Sequence, residues 1–396
     1  MRDILIIANF ASALDGTDNN RFSYLAARLS EFAGVELLTS DYEHSGKMHR
    51  PVDRDYSRFP FQLTFLHEPG YPSNICPQRF FSHFLWGVRV LRALRKRRKP
   101  DVIYCAMPSL TAAFLTARWC KKNKVRFVVD VQDLWPEAFA MAFHVPILSD
   151  ILFLPFRRLA NTAYRQADEI VAVSQTYVDR VLAVNKKRAT GHSVFLGTRL
   201  SDFDENVRAC PPPQKPAGEI RLAYCGSLGK SYDIPCVLDA LAIVRESGVR
   251  PPVFQVMGDG ERRTEFEAYA KQLGLKVHFW GSLPYKEMCG VLCSCDMTVN
   301  PIIHSPASII NKHADYAACG LPVLNTQDSP EYRALVDRYA MGLNSANGDA
   351  KELAQNMIRL LENEDLRKQM GENARRCAEA CFDRERSYQE IISLLI

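Results

Sequence analysis

Short apolar runs rich in Val, Ile and Leu alternate with helix-patterned stretches twice along this chain, and a proline-rich break separates the two series. In the first series, ILIIAN (4–9), VELLTS (35–40), QLTFLHE (62–68), DVIYCAM (101–107), RFVVDVQD (126–133), EIVAVS (169–174) and HSVFLG (192–197) read as strands. Residues 19–33 place apolar side chains at 22, 25, 26 and 29, the spacing of an amphipathic helix, and further helices are expected near 78–98 and 109–122. The second series starts at IRLAYCGSL (220–228) and continues with PVFQVMGDG (252–260), KVHFWGSL (276–283), MTVNP (297–301) and LPVLNT (321–326), with helices between them and from there to the end. Near-continuous apolar strands separated by helices call for a parallel sheet covered on both faces. The expected fold class is therefore α/β, with two parallel-sheet domains, a cleft between them and ligands outside the carboxyl ends of strands.

The break CPPPQKPAGE (210–219) reads as a linker. The expected division is an N-terminal domain over 1–208, a linker over 209–219 and a C-terminal domain over 220–375. A final helix in 376–396 is expected to return toward the first domain. A length of 396 residues, set against roughly 150 per domain, agrees with two domains.

Composition removes several classes. Hydrophobic residues make up 47% and charged residues 24%, which excludes a disordered, fibrous or small disulfide-stapled chain. No window approaches the apolar length of a membrane span. ILIIAN followed by Ala11-Ser12-Ala13 looks superficially like a signal peptide, but the run is short and holds Asn9, so a first buried strand is the better reading. The twelve cysteines are scattered, with no CxxC pair, and fit a reducing cytoplasm. The histidines form neither HExxH nor HxxxH, and the two DxD triplets, Asp53-Arg54-Asp55 and Asp202-Phe203-Asp204, read as loop residues. No metal and no cofactor is expected.

Several segments carry candidate chemistry. Gly258-Asp259-Gly260 follows a strand and opens a helix but lacks the third glycine of a dinucleotide fingerprint, so a plain strand-to-helix turn competes with a ligand role. Gly226-Ser227-Leu228-Gly229-Lys230 fails the P-loop spacing, yet small residues and a lysine let a phosphate approach the backbone. In SPASIINKHADYAACGLPV (305–323), the loop Ser308, Ile309, Ile310, Asn311 enters a helix whose amides suit a pyrophosphate. Lys312 in the first turn is disfavoured by the helix dipole unless it meets an anion. Asp315 follows three residues on; the pair is either an amine for phosphate with a carboxylate for ribose, or a surface ion pair. In RFVVDVQDLWPEAFA (126–140), Asp133 and Glu137 stand near a strand's carboxyl end, either as functional acids or as a helix cap and a solvated first-turn acid.

These motifs resemble, in order and spacing over nearly the whole chain, a bacterial GT-B glycosyltransferase of family 4, of the DLWPE-containing branch of capsule or O-antigen assembly. VVDVQDLWPEAF, ADEIVAVS (167–174), FLGTRLSDF (195–203), YCGSLGKSYDI, VMGDGERR, FWGSLPYKEM and INKHADYAACGLPVL carry the likeness. The resemblance implies two Rossmann-like domains with a nucleotide-sugar donor, UDP-linked, held mainly by the second. It implies metal-independent transfer of a hexose or N-acetylhexosamine with retention to a lipid-linked saccharide. Gly226 and Lys230 would lie near the diphosphate, Ser282 and Leu283 at the base, residues 308–311 and Lys312 on phosphate, and Asp315 on the ribose, with Ser227 and Gly258 also among the donor-binding residues. Gly16 would belong to a first-domain loop approaching the donor. Gln132 and Asp133 occupy the acceptor-side position and, with Lys312, are the catalytic candidates. Two departures stand out. The family's two glutamates, eight positions apart, are Ala307 and Asp315 here, and the loop around Gly16 lacks a glycine pair.

Residues 89–99, RVLRALRKRRK, hold seven basic and no acidic residues, so the formal net charge of +5 is concentrated in one patch. With an aromatic start, the segment joins Phe80, Phe81 and Trp86 to Arg92, Arg95, Lys96, Arg97 and Arg98, and MAFHVPILSDILFLPFRR (141–158) repeats the combination. Apolar anchors beside cations suit contact with an anionic membrane surface, the alternative being a core helix with a solvated end. Peripheral association with the inner face of the cell membrane is expected, and nucleic acid is not an expected partner. Competing readings are a non-catalytic GT-B protein that binds nucleotide-sugar and a sugar-nucleotide epimerase.

Overall fold

The computed structural model describes residues 2–11, 14, 20–51, 55–73, 76–137, 148–303 and 312–396. The chain divides into two compact units, Met1–Phe195 with Tyr388–Ile396, and Leu196–Ser387.

The first unit is built on strands β1 (Asp3–Ala8), β2 (Gly34–Ser40), a two-stranded antiparallel hairpin of β3 (Tyr42–Glu43) and β4 (Met48–His49), then β5 (Gln62–Leu66), β6 (Val102–Met107), β7 (Arg126–Val131), β8 (Glu169–Ala172) and β9 (His192–Ser193). All but the hairpin form one parallel sheet in the order β5-β2-β1-β6-β7-β8-β9. Each sheet strand matches one of the seven apolar runs. The hairpin escaped the sequence reading because two-residue strands carry no periodicity. Ile4, Leu5, Ile6 and Ile7 of β1 are fully buried, as a strand covered on both faces requires.

The helix Arg21–Leu29 starts at Asn20, whose side chain accepts from the Phe22 and Ser23 amides. It buries Phe22, Leu25, Ala26 and Leu29, the four positions that the spacing selects. Its Arg21 makes an ion pair with Asp130 of β7 at 3.1 Å, both buried, and also donates to the Val194 carbonyl. The last helix, Gln389–Leu395, belongs to this unit: the Tyr24 and Tyr388 rings meet edge-on at 5.6 Å, and Arg2 and Arg126 donate to the Leu395 and Leu394 carbonyls at its end.

The second unit carries β10 (Arg221–Cys225), β11 (Val253–Met257), β12 (Val277–Gly281), β13 (Met297–Asn300), β14 (Val323–Asn325) and β15 (Gly342–Asn344) in the order β12-β11-β10-β13-β14-β15, all parallel. In both sheets the order reverses beside the first strand, at β1/β6 and at β10/β13, which is where doubly wound sheets open a crevice at their carboxyl edge. β15 lies in the tail read as wholly helical. Its three residues are too few to show a pattern, and its glycine is needed because a β-carbon on Gly342 would fall 2.1 Å from the Val323 carbonyl oxygen.

The division falls at Leu196, earlier than the proline-rich segment. The helix Leu200–Ala209 belongs to the second unit because Phe203 is buried there and Asp204 is clamped by both terminal nitrogens of Arg375 at 2.7 and 2.8 Å. The segment 210–219 is thus an irregular stretch within that unit. Asp202 and Asp204 are helical, not loop, residues, and each is ion-paired, Asp202 with Arg199 and Asp204 with Arg375. Asp53 lies outside the described residues. All twelve cysteines are free.

Candidate donor site

The carboxyl ends of β10, β11 and β12 are sewn together by backbone at three glycines. Gly226 donates to the Met257 carbonyl at 2.9 Å, and Gly258 to the Gly281 carbonyl at 2.8 Å. Gly226 and Gly258 both have φ of +145°. A β-carbon on Gly258 would land 1.9 Å from the Gly226 carbonyl oxygen. Gly258, a candidate for donor contact, is therefore needed first to let the Gly226 turn close onto it. Ser227 and Lys230 on that turn are exposed, as is Ser282, with Leu283 half-buried beside it after β12.

Lys312 begins the helix Lys312–Ala318 and points at the same turn. Its Nζ lies 2.8 Å from the position of a β-carbon on Gly226. It sits 4.2 Å from the ring centre of Tyr224 and 4.1 Å from that of Tyr232. The amine is buried and has no hydrogen-bond acceptor among the described residues. Burial pushes its ammonium down from the usual lysine range to about 7. A buried cation without a counter-charge is costly, and the cost is removed when an anion enters.

Asp315 takes another direction. Its Oδ1 accepts from the Tyr285 hydroxyl at 2.7 Å, and that hydroxyl lies 3.0 Å from the Thr198 hydroxyl. Burial raises the Asp315 carboxyl to about 6, opposed by the hydrogen bonds of Tyr285 and Thr198 and the charge of Arg384. No ion pair joins Lys312 to Asp315, so the surface-pair reading is excluded. Tyr224, Tyr232, Tyr285 and Thr198 were missed in the sequence. Tyr224 and Tyr232 bracket GSLGK, a visible signal, whereas nothing local links Thr198 or Tyr285 to Asp315.

A buried amide ladder holds this helix in place. Asn300, Asn325 and Asn344 end β13, β14 and β15 in register, and their side chains link at 2.8 and 2.8 Å. Asn300 also donates to Gln327 Oε1 at 3.1 Å, and the same oxygen lies 3.4 Å from His313 Nε2. His313 stacks on Tyr332 at 3.6 Å, which orients the residue next to Lys312.

In the first unit, Asp133 follows β7 and accepts from the Trp135 indole at 3.0 Å, and burial raises its carboxyl above the usual range. The Arg79 guanidinium covers the Trp135 ring at 4.4 Å, and the His83 ring stacks on it at 5.4 Å and 5°. Gln132 donates its amide to Asp130 Oδ2 at 3.1 Å, the same oxygen that lies 3.1 Å from Arg21 Nε, so its side chain is engaged by the buried Arg21–Asp130 pair. Glu137 is not a free solvated acid: Arg180 Nε binds it at 2.6 Å.

The basic helix Pro77–Lys96 corrects two expectations. Trp86 is fully buried, because it falls on the core face with His83, Gly87, Val90 and Leu94. Arg97 is held by Asp3 and Glu36, each at 3.1 Å. Phe81 is 60% exposed, Phe80 half-buried, and Arg92, Arg95, Lys96 and Arg98 exposed. Phe84, Ile151 and Leu152 are exposed as well, at 52%, 66% and 63%. No described helix is long and apolar enough to cross a membrane. Gly16, Ser308, Ile309, Ile310, Asn311 and Ala307 lie outside the described residues.

Comparison with known proteins agrees with the two parallel-sheet α/β units. Residues 19–195 match the glycosyl transferase 4-like domain, and residues 210–377 match glycosyl transferases group 1. An uncharacterized glycosyltransferase of Methanocaldococcus jannaschii is 19% identical over 237 residues, and the chain spans 59% of that relative's length. Among solved structures, HepE of Anabaena in complex with UDP has a TM-score of 0.70 at 16% identity, covering 100% of this chain and 99% of that one. Sucrose-phosphate synthase of Thermosynechococcus elongatus has a TM-score of 0.71 at 15% identity, covering 100% and 98%. WaaG, a glycosyltransferase involved in lipopolysaccharide biosynthesis, has a TM-score of 0.67 at 14% identity, covering 99% of each chain.

Proposed function

Since this chain is a glycosyltransferase of the GT-B fold, we propose that it moves a hexose or N-acetylhexosamine from a UDP-sugar to a lipid-linked saccharide in surface polysaccharide synthesis, with retention and without a metal. The observation that carries the donor assignment is the buried Lys312 Nζ, without a hydrogen-bond acceptor among the described residues, against the Gly226 turn at the switch point of the second sheet. That position suits a diphosphate, with Ser227 and Lys230 at the rim, Ser282 and Leu283 toward the base, and Asp315 accepting ribose hydroxyls. UDP and UDP-glucose in the HepE structures support a uridine nucleotide, and the role of WaaG supports a saccharide acceptor. The motif resemblance to family 4 supports retention.

In the proposed step, the acceptor hydroxyl oxygen bonds to the anomeric carbon from the face the diphosphate leaves. The bond from that carbon to the β-phosphate oxygen breaks, the hydroxyl proton passes to a diphosphate oxygen, and UDP departs. Lys312 stabilises the charge that grows on the leaving group, in a site where burial strengthens the interaction. Asp133 is the acceptor-side candidate; Gln132 serves it by fixing the strand end through Asp130. Exposed Phe81, Phe84, Ile151 and Leu152, with Arg92, Arg95, Lys96 and Arg98, support peripheral contact with an anionic cytoplasmic membrane surface.

The test is a thermal-shift panel of UDP-, ADP- and GDP-sugars on the wild type and Asp315→Ala. A rise for uridine nucleotides that the variant loses is expected. No shift with any nucleotide would sink the donor assignment.

A further inference from the structure

Asp41, His49 and His67 come from three separate segments of the first unit. Asp41 follows β2, His49 ends β4, and His67 follows β5. One ligand atom from each lies within 4.8 Å of the others. His67 Nδ1 is 2.8 Å from Asp41 Oδ2, and His49 Nδ1 is 3.5 Å from Asp41 Oδ1. The two imidazole rings lie nearly parallel, 5.3 Å apart.

Backbone bonds fix this arrangement. The Asp41 amide donates to the Leu66 carbonyl at 3.1 Å, and the Arg50 amide donates to the Asp41 carbonyl at 2.8 Å. The Glu68 amide donates to Asp41 Oδ1 at 2.7 Å and so orients the carboxylate from behind. That is the kind of support a metal-binding carboxylate has in its outer shell. The Arg50 guanidinium is directed elsewhere, to the Ser40 and Ala11 carbonyls. Both histidines are about half-exposed, so their rings are reachable from solvent.

We propose that Asp41, His49 and His67 form a binding site for a divalent transition-metal ion of the zinc, cobalt or nickel kind. Two imidazoles and one carboxylate suit these ions and not magnesium or calcium, which favour oxygen. Tetrahedral ligands at zinc stand roughly 3.4 Å apart. The present separations from the Asp41 carboxylate, 2.8 Å for His67 and 3.5 Å for His49, lie on either side of that value. Solvent would complete the coordination, as at zinc sites with three protein ligands. The ion would take the place of the hydrogen bond between His67 and Asp41 and pin the β3–β4 hairpin to the sheet. None of the proposed donor residues belongs to this site, so the inference stands or falls apart from the donor reading.

The experiment is titration of the EDTA-dialysed full chain with CoCl2, followed by visible absorption and by melting temperature. Cobalt separates the ligand types, since thiolate ligands add a sulfur-to-metal charge-transfer band. One saturable equivalent is expected, without that band and with a rise in melting temperature. Affinity is expected to fall about tenfold or more in His67→Ala and in His49→Gln. His49→Gln is an exposed, conservative change that leaves folding intact, and circular dichroism checks both variants. Failure of the wild type to bind saturably would overturn the proposal. So would binding unchanged in both variants, or a thiolate band on the bound ion.

Discussion

Lys312 Nζ stands 2.8 Å from where a β-carbon on Gly226 would sit, with no acceptor among the described residues to receive its protons. An unsatisfied buried donor costs about 1–3 kcal/mol. Lys312→Met keeps the volume and removes the charge. It is expected to stabilise the unliganded protein by about 1–3 kcal/mol and to weaken UDP binding by about 2–5 kcal/mol. Urea denaturation and UDP titration measure the two together; a variant that loses stability and keeps UDP would contradict the assignment.

The same amine sets a pH dependence. Its ammonium titrates near 7 in the folded chain against 10.5 ordinarily. Between those values the unfolded chain binds more protons, so this group's contribution to stability grows as pH rises from about 7 toward 10.5. The stability difference between wild type and Lys312→Met should therefore narrow over that window. UDP should restore the charge. Calorimetry at pH 8 in buffers of different ionisation enthalpy should reveal proton uptake on binding, absent in the variant.

Gly226→Ala would set a methyl against Lys312 Nζ and 3.2 Å from the Tyr224 hydroxyl, at a φ of +145°. Backbone strain of about 1–3 kcal/mol is expected, with UDP affinity reduced at least as much. Gly229→Ala is the control, since its β-carbon would meet only Ser227 Oγ, at 3.5 Å. Equal effects of the two substitutions on UDP binding would argue against a phosphate at the Gly226 turn.

Tyr285→Phe removes the donor at 2.7 Å that holds Asp315 ionised. The Asp315 carboxyl should then climb above about 6. If the carboxylate binds the ribose, the variant's UDP affinity should fall more at pH 6 than at pH 8. A pH-independent loss would assign Tyr285 a packing role only.

Trp86 and Phe81 share a helix and predict opposite outcomes. Trp86→Ala should cost about 3–5 kcal/mol, because the ring is fully buried. Phe81→Ser with Phe84→Ser should leave stability within about 0.5 kcal/mol per site and reduce co-sedimentation with phosphatidylglycerol vesicles. Unchanged sedimentation would remove these residues from the proposed membrane surface.

Much of the fold was legible in the sequence because a strand buried on both faces must be apolar throughout. That constraint is local, and it located every strand of the two sheets except β15 at Gly342–Asn344. The helical period likewise placed Phe22, Leu25, Ala26 and Leu29 in the core. The glycines and Lys312 were visible as unusual residues at strand and helix ends.

Partnership was not legible, since it joins residues distant in the chain. Spacing put Lys312 and Asp315 together, but packing sends one to Tyr224 and Tyr232 and the other to Tyr285. Composition put Trp86 and Arg97 in a surface patch, but the helix rotation buries the first and Asp3 and Glu36 claim the second. A proline-rich run suggested the domain boundary, whereas the clamp of Asp204 by Arg375 moves it to Leu196. Apolar periodicity depends on each segment's own burial and is written along the chain; which side chains meet depends on strand order and helix rotation, which only the folded sheets decide.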